Sequence, residues 1–165
     1  APADLIFANA VFQWIPDHVS ALVRIHRALG AGSVLAVQMP DNLDEPALAL
    51  MREVAASGPW AAALAASAAA RDDLPTPSDY YDLFRPLCAR LDIWHTVYNH
   101  VMDGPEGVVE WFRGSALRPF LAPLDDVMAR GFVADYGARI AEAYPARFDG
   151  KVLLRFPRLF IVAVR

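Results

Sequence analysis

The chain has 165 residues, the size of one ordinary domain, and 56% of them are hydrophobic, which excludes a disordered chain and allows a sizeable core. A net charge of −4, with a pI near 5.5, argues against a nucleic-acid or anionic-membrane partner, since both select basic patches. No apolar run approaches the ~20 residues that cross a bilayer, no signal peptide is visible, and the single cysteine, Cys88, cannot form an internal disulfide, so a cytoplasmic setting is expected.

The chain opens Ala1-Pro2-Ala3-Asp4, without methionine, and enters the apolar run Leu5-Ile6-Phe7-Ala8 at once, which reads as a buried strand of parallel type. Whole proteins more often carry a few loosely held residues first. Pro16-Asp17 opens a helix with Asp17 as the expected N-cap, and Val19, Leu22, Val23, His26 and Leu29 share one face. Gly30 and Gly32 are expected to supply the left-handed turn that ends it. Residues 33–39 then form a second buried strand, stopped by Pro40. Strand, helix and strand at this spacing make a βαβ core over residues 1–43.

Residues 44–90 read as a helical insertion broken at Gly58-Pro59, with the alanine-rich stretch 61–70 on the surface. Thr76 as N-cap, Pro77 and Asp79 start a short helix carrying Tyr80, Tyr81 and Phe84. Residues 91–102 alternate and carry β-branched and aromatic side chains, the mark of a strand. A helical cap is expected over 103–148, bearing Val108, Val109 and Phe112, then Leu124, Met128, Phe132, Tyr136 and Ile140 in steps of four. A final strand spans 151–165, with Pro157 marking a bulge or an edge. The order implies one α/β domain with helical insertions.

The chemistry-bearing residues exclude several classes. His95 and His100 lie an odd number of residues apart on one strand and so face opposite ways, and no histidine–carboxylate spacing suits zinc. His26 reads as a satisfied, semi-core residue. There is no Gly-x-Ser-x-Gly elbow, and Cys88 sits in an apolar setting that disfavours a thiolate. Gly30-Ala31-Gly32 follows a helix and precedes a strand, the reverse of a dinucleotide-binding loop.

Position supplies the rest. Ligands of open parallel sheets bind at the carboxyl ends of strands. Those ends carry Asn9-Ala10-Val11-Phe12-Gln13-Trp14 and Gln38-Met39-Pro40-Asp41-Asn42. Trp14 either lines a ligand or packs beneath the cap. Arg158 alternates with Phe156 and Phe160, so its guanidinium needs a partner, either Asp41 or a ligand carboxylate. Arg118 lies in a proline-bounded loop where a guanidinium suits a carboxylate clamp.

Asp4 to Ala10, Gln13 to His18 and the Leu29-Gly30-Ala31-Gly32 turn resemble the later strands of Rossmann-like, class I methyltransferases that use S-adenosylmethionine. Residues 36–46, Met51-Arg52-Glu53-Val54, Tyr80-Tyr81-Asp82, Asp92-Ile93-Trp94, Leu117-Arg118-Pro119 and residues 156–163 resemble, more narrowly, the family that methylates trans-aconitate. Ala31 departs from the proline common at that position in methyltransferases. The glycine-rich cofactor loop of the fold has no counterpart, so the resemblance implies a C-terminal portion beginning at the fourth strand.

The resemblance implies S-adenosyl-L-methionine as cofactor, touched by Asn9, Ala10, Gln13 and Trp14. It implies a small polycarboxylic acid as substrate, with Arg118, Arg158, Tyr81 and Trp14 as contacts. No catalytic acid or base is expected, because a carboxylate nucleophile is already ionised at neutral pH. Two alternatives stand beside this reading: a carrier-bound acyl acid as substrate, for which no basic docking patch is seen, and a non-catalytic binding module. An apolar Leu5–Ala8 edge implies dimerisation, or pairing with a preceding segment.

Overall fold

The computed structural model describes residues 3–68 and 71–165. The first apolar run forms β1 (Leu5–Asn9) and the second forms β2 (Val34–Pro40), joined through a 3-10 turn at Phe12–Trp14 and helix α1 (His18–Ala28). The strands pair in parallel, Leu5 opposite Val34 and Asn9 opposite Gln38, so the expected βαβ unit is present. Then come α2 (Pro46–Ser57), α3 (Ala61–Ala68), α4 (Pro77–Phe84), β3 (Arg90–Met102), α5 (Gly104–Arg113), α6 (Arg118–Leu121), α7 (Asp126–Ala143) and β4 (Val152–Val164). The sheet order is β1-β2-β4-β3, with β4 antiparallel to β2. The expected α/β class holds. Pro157 is not on an edge strand, because β4 lies inside the sheet, where the Pro157 carbonyl accepts from Asp41 N–H at 3.0 Å.

Two compact units divide the chain. The first comprises Ala1–Asp41, Arg71–Val97 and Pro157–Arg165. Strand alternation decides its core: Leu35, Val37 and Met39 of β2 and Leu159, Ile161 and Ala163 of β4 cluster with Leu22 of α1 and with Tyr80 and Phe84 of α4. On β1, by contrast, Leu5 and Phe7 share a face and are 58% and 67% exposed.

Several local signals need correction in detail. Asp17 occupies the N-cap position of α1, but its carboxylate accepts from the Ser20 hydroxyl at 2.7 Å and caps no backbone N–H. Leu29 is the C-cap in extended geometry, and only Gly32 of the glycine pair takes positive φ, at 81°. Thr76 is the N-cap as expected, and with Asp79 it also forms a reciprocal capping box.

The second unit comprises Asn42–Ala70 and Tyr98–Phe156. Its core is rich in aromatics: Trp60, Phe112, Phe120, Phe132, Tyr136, Tyr144 and Phe156. Trp60 meets Phe132 edge-on at 5.5 Å and donates its indole N–H to the Val54 carbonyl at 2.7 Å. Gly58 makes room for that indole, since a Cβ there would lie 2.1 Å from it. The steps of four on α7 are kept by Phe132, Tyr136 and Ile140, whereas Met128 is exposed and Leu124 precedes the helix. The alanine-rich stretch is not wholly superficial, because Leu64 is fully buried in this core; Ala69 and Ala70 lie outside the described residues.

Candidate functional site

The expected ligand end lies in the first unit, where β1 and β2 finish side by side. Asn9 closes β1 and is exposed. Ala10 then takes a left-handed backbone, φ 55°, uncommon for a residue with a Cβ, while its N–H donates to the Gln38 carbonyl at 2.9 Å. That kink starts the 3-10 turn that buries Phe12 and Gln13. Gln13 is inside, and its Oε1 has no hydrogen-bond partner among the described residues. Trp14 is instead 53% exposed, with the Arg71 guanidinium 5.7 Å from its ring centroid, so the indole is not packed away. Arg71 also donates to the Pro40 carbonyl.

Arg158 does not pair with Asp41, which was one of its two expected partners. It donates to Gln38 Oε1 at 2.8 Å. Register explains the difference. Pro40 lies opposite Arg158 and Phe160 opposite Gln38, so Gln38, Arg158 and Phe160 share one face. Trp94 stacks on Phe160 there, 5.0 Å between centroids. His95, the next residue of β3, turns to the other face and holds Asp41 at 2.7 Å. On that face His18 Nε2 also meets the Tyr80 hydroxyl at 2.6 Å. Burial lowers the His18 pKa, against the Ile15 carbonyl and the Asp17 charge. Burial, with the charge of Asp41 adding to it, pushes the Tyr80 phenol up.

The remaining expected residues fall elsewhere. Tyr81 lines an open groove of about 660 Å³ with Asp82, Asp92 and Trp94. Arg118 is exposed in the second unit, not in a loop but as the first residue of α6. Cys88 is buried 3.5 Å from His26 Nε2, and burial pushes its thiol up despite Arg85, the opposite of nucleophile activation. His26 is deeper than expected and only half satisfied: it is fully buried and its Nδ1 has no partner. Among the described residues, no group of three or more His, Cys, Asp or Glu side chains is placed to hold a metal ion.

Sequence reasoning missed Arg71 over Trp14 and the pairing of His95 with Asp41. Both depend on contacts between distant segments, and only the register of β4 against β2 would have pointed to Gln38 as the partner of Arg158.

A mixed sheet with polar groups gathered where its parallel strands end is an α/β architecture of the kind that binds ligands at that end, and its fold is shared with solved methyltransferases. A crystal structure from Bacillus halodurans C-125, described as a methyltransferase, matches 99% of this chain and 64% of its own with a TM-score of 0.50 at 11% identity, a likeness of fold. No protein-family model matches the chain.

Curated relatives narrow the class. Trans-aconitate 2-methyltransferase of Rhodopseudomonas palustris strain BisB18 is 59% identical over 162 residues, 98% of this chain and 63% of its own length. The proteins of that name in Afipia carboxidovorans and Agrobacterium fabrum are 58% and 52% identical, over 100% and 99% of this chain and 64% of each of them. The chain is similar to the trans-aconitate 2-methyltransferases along nearly its whole sequence, and it spans just under two thirds of their length.

Proposed function

We propose that the chain acts in S-adenosylmethionine-dependent transfer of a methyl group to a carboxylate of trans-aconitate or a similar small polycarboxylic acid, giving a methyl ester. The observation that carries this reading is Arg158, held by Gln38 at the strand ends of a chain 59% identical to a protein named for that substrate. A guanidinium is always charged and matches a carboxylate with parallel hydrogen bonds.

Asn9, Ala10, Gln13 and Trp14 are the residues that would hold the cofactor. Gln13 fits that role because its buried carbonyl oxygen lacks a donor and S-adenosylmethionine carries amino groups that supply one. When bound, the cofactor supplies an electrophilic methyl group on a sulfonium. The substrate carboxylate is ionised at neutral pH, so this chain need not move a proton. Its work is to orient: Arg158 fixes a carboxylate, and the exposed Trp14 ring shields the approach from water. Tyr81, on its own groove, and Arg118, in the second unit, are further proposed substrate contacts.

Fusing this chain to the unmatched part of the Rhodopseudomonas relative tests the reading. We expect the chimera to form a methyl ester on trans-aconitate, detected by mass spectrometry, and Arg158→Gln to reduce kcat/KM by at least tenfold. An active cofactor site with no turnover on any di- or tricarboxylate would overturn it.

A second reading, a non-catalytic interaction module, is favoured by one observation. β1 is an edge strand showing Leu5 and Phe7 to solvent, and exposed apolar edges template further pairing. On this reading the edge takes up a further strand, and the 165-residue chain alone dimerises through it. Light scattering should show a dimer that Phe7→Lys converts to monomer; a monomeric unsubstituted chain would count against it.

A further inference from the structure

Buried side-chain donors are nearly always satisfied, so each exception asks for a reason. Gln38 is such an exception. The residue is 4% exposed, its Oε1 accepts from Arg158, and its Nε2 is buried without a partner among the described residues. The assignment of oxygen and nitrogen is forced, because a guanidinium only donates and so the amide oxygen must face it. The amide's N–H group therefore has no acceptor among the described residues.

Its surroundings define what would satisfy it. Gln38 is the fifth residue of β2, opposite Asn9 on one side and Phe160 on the other, at the end of the sheet where α/β folds bind ligands. Arg158 lies on the same face. The Gln38 donor lies beside the Arg158 guanidinium that its own oxygen accepts from, an arrangement suited to a carboxylate, whose two oxygens can take one bond from each.

We propose that Gln38 is a substrate-binding residue: its amide oxygen fixes the Arg158 guanidinium, and its Nε2–H donates to the same carboxylate that Arg158 binds. The assignment rests on the polycarboxylate reading above and deepens it. It gives Gln38 a specificity role, because glutamate there would satisfy Arg158 internally and remove the donor, whereas leucine would remove both bonds yet keep an apolar volume.

Side-chain amide NMR of the 165-residue chain, titrated with tricarballylate, reads this directly. We expect the Gln38 NH₂ and Arg158 Nε–H signals to shift together along one binding curve. Gln38→Leu should weaken that binding about tenfold and Gln38→Glu more, each with backbone spectra that still report a folded chain. Tricarballylate binding that moves other signals but leaves the Gln38 amide unmoved, or an affinity unchanged in Gln38→Leu, would overturn the assignment and leave the polycarboxylate reading in place. No shift at any position in the unsubstituted chain would overturn polycarboxylate binding by this chain, and this assignment with it.

Discussion

The two units bury polar groups in opposite ways. In the second unit the large polar side chains of the core are spent on structure: Tyr136 donates to the Ala47 carbonyl at 3.0 Å, Tyr144 accepts from the Ala47 N–H at 3.2 Å, and Trp60 donates to Val54. His100 Nε2 is the exception there among the described residues. In the first unit, Gln13 Oε1, Gln38 Nε2 and His26 Nδ1 are all buried without partners, and two of the three residues sit where β1 and β2 end. The contrast teaches where each sequence segment is under structural demand and where it is held ready for something else. An aromatic core that satisfies its own polar groups specifies a shape. A strand end that leaves a donor and an acceptor unsatisfied is what the proposed ligand role rests on.

The comparison breaks most visibly in the aromatic core. Phe132 is fully buried, stacked on Phe120 and edge-on to Trp60, so Phe132→Ala should cost about 3–5 kcal/mol in urea unfolding, as large-to-small aromatic changes do. Gly58→Ala would drive a Cβ into the indole; expelling Trp60 should cost about 1–3 kcal/mol and red-shift its fluorescence. An unshifted spectrum would show that the ring has room elsewhere. Thr76→Ala removes the capping box of α4 and should cost roughly 0.5–2 kcal/mol, read as a lower unfolding midpoint.

The smallest effect sharpens the account of the first unit and depends on pH. Burial, and secondarily the Arg165 charge, hold the His26 pKa below the usual histidine value. The unfolded chain therefore binds the proton more readily, and the contribution of neutral His26 is complete above about pH 6.5 and is lost as pH falls below it. Burial gives His18 the same sign. The melting temperature should fall from pH 7.5 to pH 5, and His26→Leu should flatten that fall in part. A pH-independent melting temperature would contradict the buried, neutral histidine.

What the residues reveal in advance follows from distance along the chain. Thr76 and Asp79 are three residues apart, and their capping box is readable as written. The β1–α1–β2 unit follows from periodicity within a few turns. The site is another matter: Arg71 meets Pro40 across 31 positions, His95 meets Asp41 across 54, and Arg158 meets Gln38 across 120. Arg158 was identifiable as a side chain in need of a partner because it alternates with phenylalanines. Which residue answers that need depends on strand register, and the alternation of Arg158 alone points to a structural carboxylate such as Asp41 or to a ligand, not to Gln38. Gln13 and Trp14 are placed as candidates by their position after a parallel strand, whereas the left-handed turn at Ala10 that precedes them is not legible, since nothing in an alanine announces positive φ.

The most direct test of the central claim, methyl transfer to a small polycarboxylate oriented at the strand ends, is turnover of trans-aconitate by the chimera of this chain with the unmatched part of its Rhodopseudomonas relative. The account predicts a trans-aconitate methyl ester formed at the expense of S-adenosylmethionine, with kcat/KM at least tenfold lower in Arg158→Gln. Turnover that is unaffected by Arg158→Gln, or a chimera that binds S-adenosylmethionine yet esterifies no polycarboxylate, would contradict it.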